Sequence, residues 1–157
     1  MKSIYIETTI PSYATARPSA DLIKAARQNL TLLFWENERQ NYNLYVSDYV
    51  FDECVKGDKK AAQRRLNFIA DIPMLHPTAR TESLAAIYQE LLHIPESAKT
   101  DAYHLAICVE SEIDYLMSWN YSHMSVDAFV KLSAYNNARG VRTPFLITPE
   151  YFYKMEE

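Results

Sequence analysis

The chain has 157 residues, 48% hydrophobic, 13% aromatic and 23% charged, with a formal net charge of -4. That length supports a core without disulfide or metal staples, and a single domain over 1–157 is expected. The acidic balance excludes a broad, non-specific nucleic-acid coat, which relies on excess Lys and Arg, but not a local basic groove beside an acidic pocket.

Met1-Lys-Ser-Ile-Tyr-Ile-Glu-Thr-Thr-Ile lacks the charged start, long apolar middle and cleavage site of a secretory signal. No run reaches the length of a membrane span, so a cytoplasmic protein without a membrane partner is expected. Cys54 and Cys108 lie far apart with no partner spacing, which suggests buried free thiols rather than a disulfide or a zinc motif.

Ser3 to Glu7 is a short apolar run ahead of Pro11 and reads as a buried strand. A carboxylate at its end is costly unless something pairs with it. From about Ser19 to Gln40, Leu22, Ala25, Ala26, Leu30, Leu33 and Phe34 recur with helical period. Asn43 to Ser47 is a second strand. Asp48 or Ser47 caps the following helix, Tyr49 to Lys56, and Gly57 closes it. Asp58 opens another helix with Ala61, Ala62, Leu66, Ile69 and Ala70 at helical spacing, and Phe68 as a further core candidate.

Pro73 to His76 is a short strand. Thr78 to Leu92 is helical, with Leu84, Ile87, Tyr88, Leu91 and Leu92 on one face, and Pro95-Glu96 breaks it. The helix that follows carries Ala102, Leu105, Ala106 and Val109 on an apolar face, with Asp101 and His104 together on another side. Asp114 to Ser118 is the next strand. Ser125 to Arg139 is helical and stops at Gly140; Thr143 to Ile147 is a last strand before the turn Thr148-Pro-Glu. This alternation indicates an α/β layer fold with a mostly parallel sheet.

In such a sheet ligands bind at the carboxyl ends of the strands. Glu7 ends the first strand, Asp101 opens a helix and Asn120 follows a strand, while Glu53 sits one turn into the helix after the second strand and leans back over the same edge. Glu7, Glu53 and Asp101 would then place three carboxylates in one pocket, a repulsive cluster unless it holds a cation. Hard oxygen ligands without cysteine suit Mg²⁺ or Mn²⁺. Such an ion points to phosphodiester hydrolysis.

Taken singly, each residue has a plainer reading. Glu7 fits a strand-end acid paired with Arg17 or Lys24, Glu53 and Asp52 a solvated face, Asp101 a charge on the helix dipole, and Asn120 a turn residue. Asp48 reads as a cap.

Together the residues resemble the PIN-domain family of metal-dependent ribonucleases, which includes VapC-like toxins. The stretches that carry the resemblance are Ile4-Tyr-Ile-Glu-Thr-Thr-Ile-Pro-Ser, Val46-Ser-Asp-Tyr-Val-Phe-Asp-Glu-Cys-Val-Lys-Gly, Thr100-Asp-Ala-Tyr-His-Leu-Ala-Ile-Cys and Asp114-Tyr-Leu-Met-Ser-Trp-Asn. The resemblance implies a three-layer sandwich with a central, mostly parallel sheet flanked by helices, and an acidic pocket for Mg²⁺ or Mn²⁺. It also implies an RNA endonuclease, the toxin of a type II toxin-antitoxin pair, with RNA as substrate. A cognate antitoxin and a homodimer are family-level expectations. Glu7, Glu53 and Asp101 match the family's first three acids as metal ligands. Asn120 stands at the fourth catalytic position. Two departures stand out: Glu7 occupies a position that is usually Asp, and Asn120 brings no charge, so one well-held ion is expected.

His123 reads either as a contact to phosphate or leaving group or as a surface turn histidine, and Arg17, Lys24 and Arg27 as phosphate contacts at the entrance, with a solvated helix face the alternative for Lys24 and Arg27. Tyr13, Tyr49 and Tyr121 are available to stack on unpaired bases, although with 12 tyrosines in the chain packing explains most of them. His104 fits either a hydrogen bond to a carboxylate or a satisfied helix histidine. Two rival classes remain: a catalytically weak PIN-like module that binds RNA or protein, favoured by Glu7 and Asn120, and a small-molecule phosphatase. The lack of an Asp-x-Asp motif after the first strand counts against the phosphatase.

Overall fold

The computed structural model describes residues 1–121 and 124–153. At its centre lies a strand with no polar face. In β1 (Ser3–Ile6), Ile4, Tyr5 and Ile6 are all fully buried, as befits a parallel strand covered by helices on both sides. β2 (Asn43–Ser47) pairs with it on one side, Ile4 opposite Leu44. β4 (Tyr115–Met117) pairs on the other, Ile4 opposite Tyr115 and Ile6 opposite Met117. β3 (Met74–Leu75) and β5 (Phe145–Ile147) complete the order β3-β2-β1-β4-β5, with every pairing parallel.

Two groups of helices cover this sheet. α1 (Thr9–Thr15) packs on α2 (Leu22–Asn37) and α4 (Lys59–Ile69), whereas α5 (Ala79–Leu91) packs on α6 (Lys99–Glu110) and α7 (Val126–Ala138). The short α3 (Asp48–Cys54) touches both α4 and α6. The result is a three-layer α/β sandwich. The order of strands reverses between β1 and β4, and in sheets of this kind the crevice beyond their carboxyl ends receives ligands. No helix among the described residues is long and apolar enough to cross a membrane.

Several local expectations change. The chain enters α1 directly after Glu7, where no helix is expected. Pro11 is its third residue, still in the first turn, where a missing N–H costs no helical bond. In α2 the expected apolar stripe is rotated: Leu22 is 86% exposed, while Gln28, Thr31 and Phe34 are buried. The polar pair turns inward because both side chains are satisfied there. Gln28 receives Ser19 N–H at 3.0 Å and donates to Arg17 O at 2.9 Å. Thr31 donates to Arg27 O at 2.7 Å and receives Trp119 Nε1–H at 2.9 Å.

On α5, Ile87 is exposed and Thr81 buried, because the Thr81 hydroxyl donates to Glu110 Oε2. Ser47, not Asp48, caps α3, accepting Tyr49 N–H at 3.2 Å, and Asp48 instead pairs with His76 Nδ1 at 2.8 Å. α3 ends at Cys54 rather than Lys56. The chain then turns through Gly57 at φ +85°, a conformation that strains residues bearing a Cβ.

α6 departs most from a simple stripe. Asp101, Ala102 and all residues from His104 to Val109 are buried. A helix enclosed on nearly every side must satisfy its polar members internally. That requirement makes His104 and Asp101 the informative residues of the helix.

Candidate metal centre

Glu7 follows β1 directly and is 3% exposed. Its Oε2 accepts three hydrogen bonds, from Thr9 N–H at 3.0 Å, Thr9 Oγ1 at 2.5 Å and Ser118 Oγ at 2.6 Å. Thr9 Oγ1 in turn receives Trp119 N–H, and Ser118 Oγ receives Asn120 N–H, each at 2.9 Å. The turn after β1 and the turn after β4 are thus laced together around one carboxylate oxygen. No hydrogen bond reaches Oε1 from the described residues. The pairing with Arg17 or Lys24 is not formed.

Glu53, near the end of α3, is held in the same one-sided way. Its Oε1 accepts Thr8 Oγ1 at 2.7 Å and His104 Nε2 at 2.8 Å. Burial pushes its pKa up, but the hydrogen bonds from His104 and Thr8 and the charges of His104 and Lys56 outweigh it, so the carboxyl titrates below its ordinary value. His104 Nδ1 lies 2.6 Å from the Tyr5 hydroxyl, which lies 2.7 Å from Ser47 Oγ. Burial drives the Tyr5 phenol well above its ordinary pKa, keeping it protonated.

Glu7, Glu53 and His104 each offer a ligand atom, all within 4.8 Å of one another. No lysine or arginine among the described residues forms an ion pair with Glu7 or Glu53. Two close carboxylates, each pinned through one oxygen with no hydrogen bond from the described residues on the other, fit a divalent cation.

Asp101 lies in the first turn of α6, one turn before His104 and on the same side, and is 8% exposed. It is outside the tight group of three. Burial raises the pKa of the Tyr121 phenol, and the Glu7 and Asp101 carboxylates both raise it further. Asn120 is exposed in the turn beyond β4, its backbone bonded to Ser118. His123 lies outside the described residues.

Of the residues read from the sequence as substrate contacts, Arg17 and Lys24 share one cavity wall. Arg17, Lys24, Tyr13 and Gln28 line a cavity of about 370 Å³. Tyr13 and Trp119 meet edge to face at 6.2 Å, and Arg27 lies over both rings, 5.8 and 5.3 Å from their centroids, donating to the Tyr13 hydroxyl at 3.1 Å. Another cavity, of about 400 Å³, is lined by Arg27, Ser118, Trp119 and Tyr121. Tyr49 is occupied in packing, stacked on Tyr103 at 4.8 Å. Cys54 and Cys108 are free and buried; burial pushes the Cys54 thiol up to about 11, and the Cys108 thiol up as well.

Thr8, Thr9 and Ser118 escaped the sequence reading. Their signal was present in Glu7-Thr-Thr, where hydroxyls follow a strand-end acid, but Ser118 lies 111 residues from its partner.

No protein-family model matches the sequence, and no curated protein matches it. Solved structures do. The chain is similar to VapC20 of Mycobacterium tuberculosis, described as a sarcin-ricin loop cleaving toxin, with TM-score 0.60 and 16% identity over 76% of this chain and 92% of that one. It is similar to VapBC2 from Rickettsia felis bound to a DNA fragment from their promoter, with TM-score 0.55 and 15% identity over 93% and 98% of the two chains. It is also similar to FitAB bound to an IR36 DNA fragment, with TM-score 0.58 and 13% identity over 98% of each chain. These are PIN-domain toxin-antitoxin proteins, and at such low identity the likeness establishes architecture: the chain has the PIN-domain fold.

Proposed function

We propose that this protein is an endoribonuclease that depends on Mg²⁺ or Mn²⁺, with Glu7, Glu53 and Asp101 as metal ligands and Asn120 as an uncharged fourth member of the site. The observation that carries the reading is the pair of carboxylates, Glu7 and Glu53, each fixed through one oxygen, with ligand atoms within 4.8 Å of one another and no lysine or arginine partner among the described residues. A bound divalent ion would neutralise charge growing on a phosphate and acidify water beside it.

The chain's own residues do the positioning. Thr9 and Ser118 hold Glu7, Thr8 and His104 hold Glu53, and Asp101 approaches from the start of α6. Arg17 and Arg27 are the cations assigned to anchor phosphates, and the half-buried rings of Tyr13 and Trp119 are assigned to unpaired bases. His123 is assigned to phosphate or leaving group. Because Asn120 contributes no charge, this site holds one ion firmly.

Cleavage of mixed RNAs with Mn²⁺, Mg²⁺ or chelator, comparing wild type with Glu7→Gln and Asp101→Asn, tests the reading. Metal-dependent cutting by wild type alone supports it; equal cutting by all three proteins overturns it. The neutral Asn120 favours a second reading, a catalytically weak module that binds RNA or protein. RNA binding that survives chelation, with no cleavage under any metal, would select that one. The toxin role carries a cognate antitoxin and a homodimer as partners, to be sought by co-purification with the product of an adjacent short reading frame and by sedimentation.

A further inference from the structure

We propose that His104, although its ring lies within the metal-sized cluster, is not a ligand but the residue that positions Glu53 as one. The inference rests on the metal-centre reading above and assigns a role within it.

The geometry constrains the ring from both ends. Nε2 lies 2.8 Å from Glu53 Oε1. An ionised carboxylate can only accept, so Nε2 must carry the proton, and a protonated ring nitrogen has no lone pair for a metal. Nδ1 lies 2.6 Å from the Tyr5 hydroxyl, which is 2.7 Å from Ser47 Oγ. Ser47 Oγ already accepts Tyr49 N–H, the N-terminal cap of α3. Nε2–H donates to Glu53, while Nδ1 is engaged by the Tyr5 hydroxyl, which in turn bonds Ser47 Oγ. Both ring nitrogens are thereby spent.

The ring is 1% exposed, so no water competes for either nitrogen. The chain also joins three elements, because Tyr5 belongs to β1, Ser47 begins α3 and His104 is on α6. Glu53 sits on a helix of only seven residues. Its carboxylate gains a fixed orientation by being tied, through His104, to the central strand. Thr8 shares the same oxygen, so Oε2 is the atom that would be left for a cation.

Calorimetric Mn²⁺ titration and pulsed electron paramagnetic resonance of the Mn²⁺ protein test this. Outer partners of metal ligands are worth about 10–100-fold in affinity, and His104→Leu is expected to lose that much. His104→Gln is expected to recover most of it, because its amide nitrogen stands where Nε2 stood and its oxygen accepts from Tyr5. Tyr5→Phe, which deletes only the hydroxyl that engages Nδ1, is expected to lose a smaller factor and serves if His104→Leu does not fold.

Histidine nitrogen coupling to Mn²⁺ is expected to be absent, read in His123→Ala so that no other site histidine contributes. Clear nitrogen coupling there, or Mn²⁺ affinity unchanged in both His104→Leu and Tyr5→Phe, overturns the assignment and leaves the metal centre standing. Wild-type protein that binds no Mn²⁺ overturns the centre and the assignment with it.

Discussion

Glu7→Gln removes one charge from a buried carboxylate pair while preserving its shape, and its two effects on stability oppose each other. At the 4.8 Å that bounds the ligand atoms, two like unit charges repel by about 3 kcal/mol at an effective dielectric of about 20, and the substitution relieves this. Against it, three hydrogen bonds to Oε2 change from charge-assisted to neutral, from Thr9 N–H, Thr9 Oγ1 and Ser118 Oγ. At about 1 kcal/mol lost per bond, the cost is similar in size to the gain.

The metal-free variant should therefore melt within a few degrees of wild type. Its response to metal should differ sharply. At about 100 times Kd a single ion stabilises the native state by about 2.7 kcal/mol. For a domain of this size that raises Tm by roughly 5–10 °C in wild type, and the rise should vanish in Glu7→Gln. Thermal melts with and without Mn²⁺, read by circular dichroism, decide it. A variant that keeps the full Mn²⁺-dependent rise refutes Glu7 as a ligand. One that unfolds without metal shows instead that its charge serves the fold.

Away from the centre, Asp114 fastens the starts of β1 and β4. It accepts Ser3 N–H at 2.9 Å and Arg142 Nη1 at 3.0 Å, and the Ser3 backbone bond is the main cause of its lowered pKa. A depressed carboxylate contributes stability that is complete above its unfolded pKa of about 3.9 and is lost as pH falls through the folded value. Asp114→Asn should flatten the acid limb of stability below about pH 4 in urea titrations at graded pH, relative to wild type. Tyr88→Phe strands Asn136 Oδ1, which now accepts the Tyr88 hydroxyl at 2.5 Å inside the core, and should lower stability by about 1–3 kcal/mol in urea melts. Arg27→Ala should weaken single-stranded RNA binding measured by anisotropy in chelator and reduce the salt slope by about one, with Mn²⁺ affinity unchanged.

Apart from the short α1, the periodicity of the chain was sufficient for the succession of strands and helices and for the parallel sheet, because both depend on local spacing and on the length of each crossover. It also placed Glu7 and Glu53 at one sheet edge, since a strand end and the first turns of the next helix share that edge by geometry. It was insufficient wherever polar residues went inside. Gln28 and Thr31 turn α2 away from its most hydrophobic face, and His104 is buried on a helix whose apolar stripe does not predict it. Those outcomes depend on partners distant in sequence: Trp119 for Thr31, Glu53 and Tyr5 for His104, Ser118 for Glu7. A buried polar group lies where its hydrogen bonds can be completed, and only the packed sheet determines where that is. Sequence alone therefore brought Glu7 and Glu53 to one edge, whereas tertiary structure decided which oxygen of each is held by hydrogen bonds and which is not.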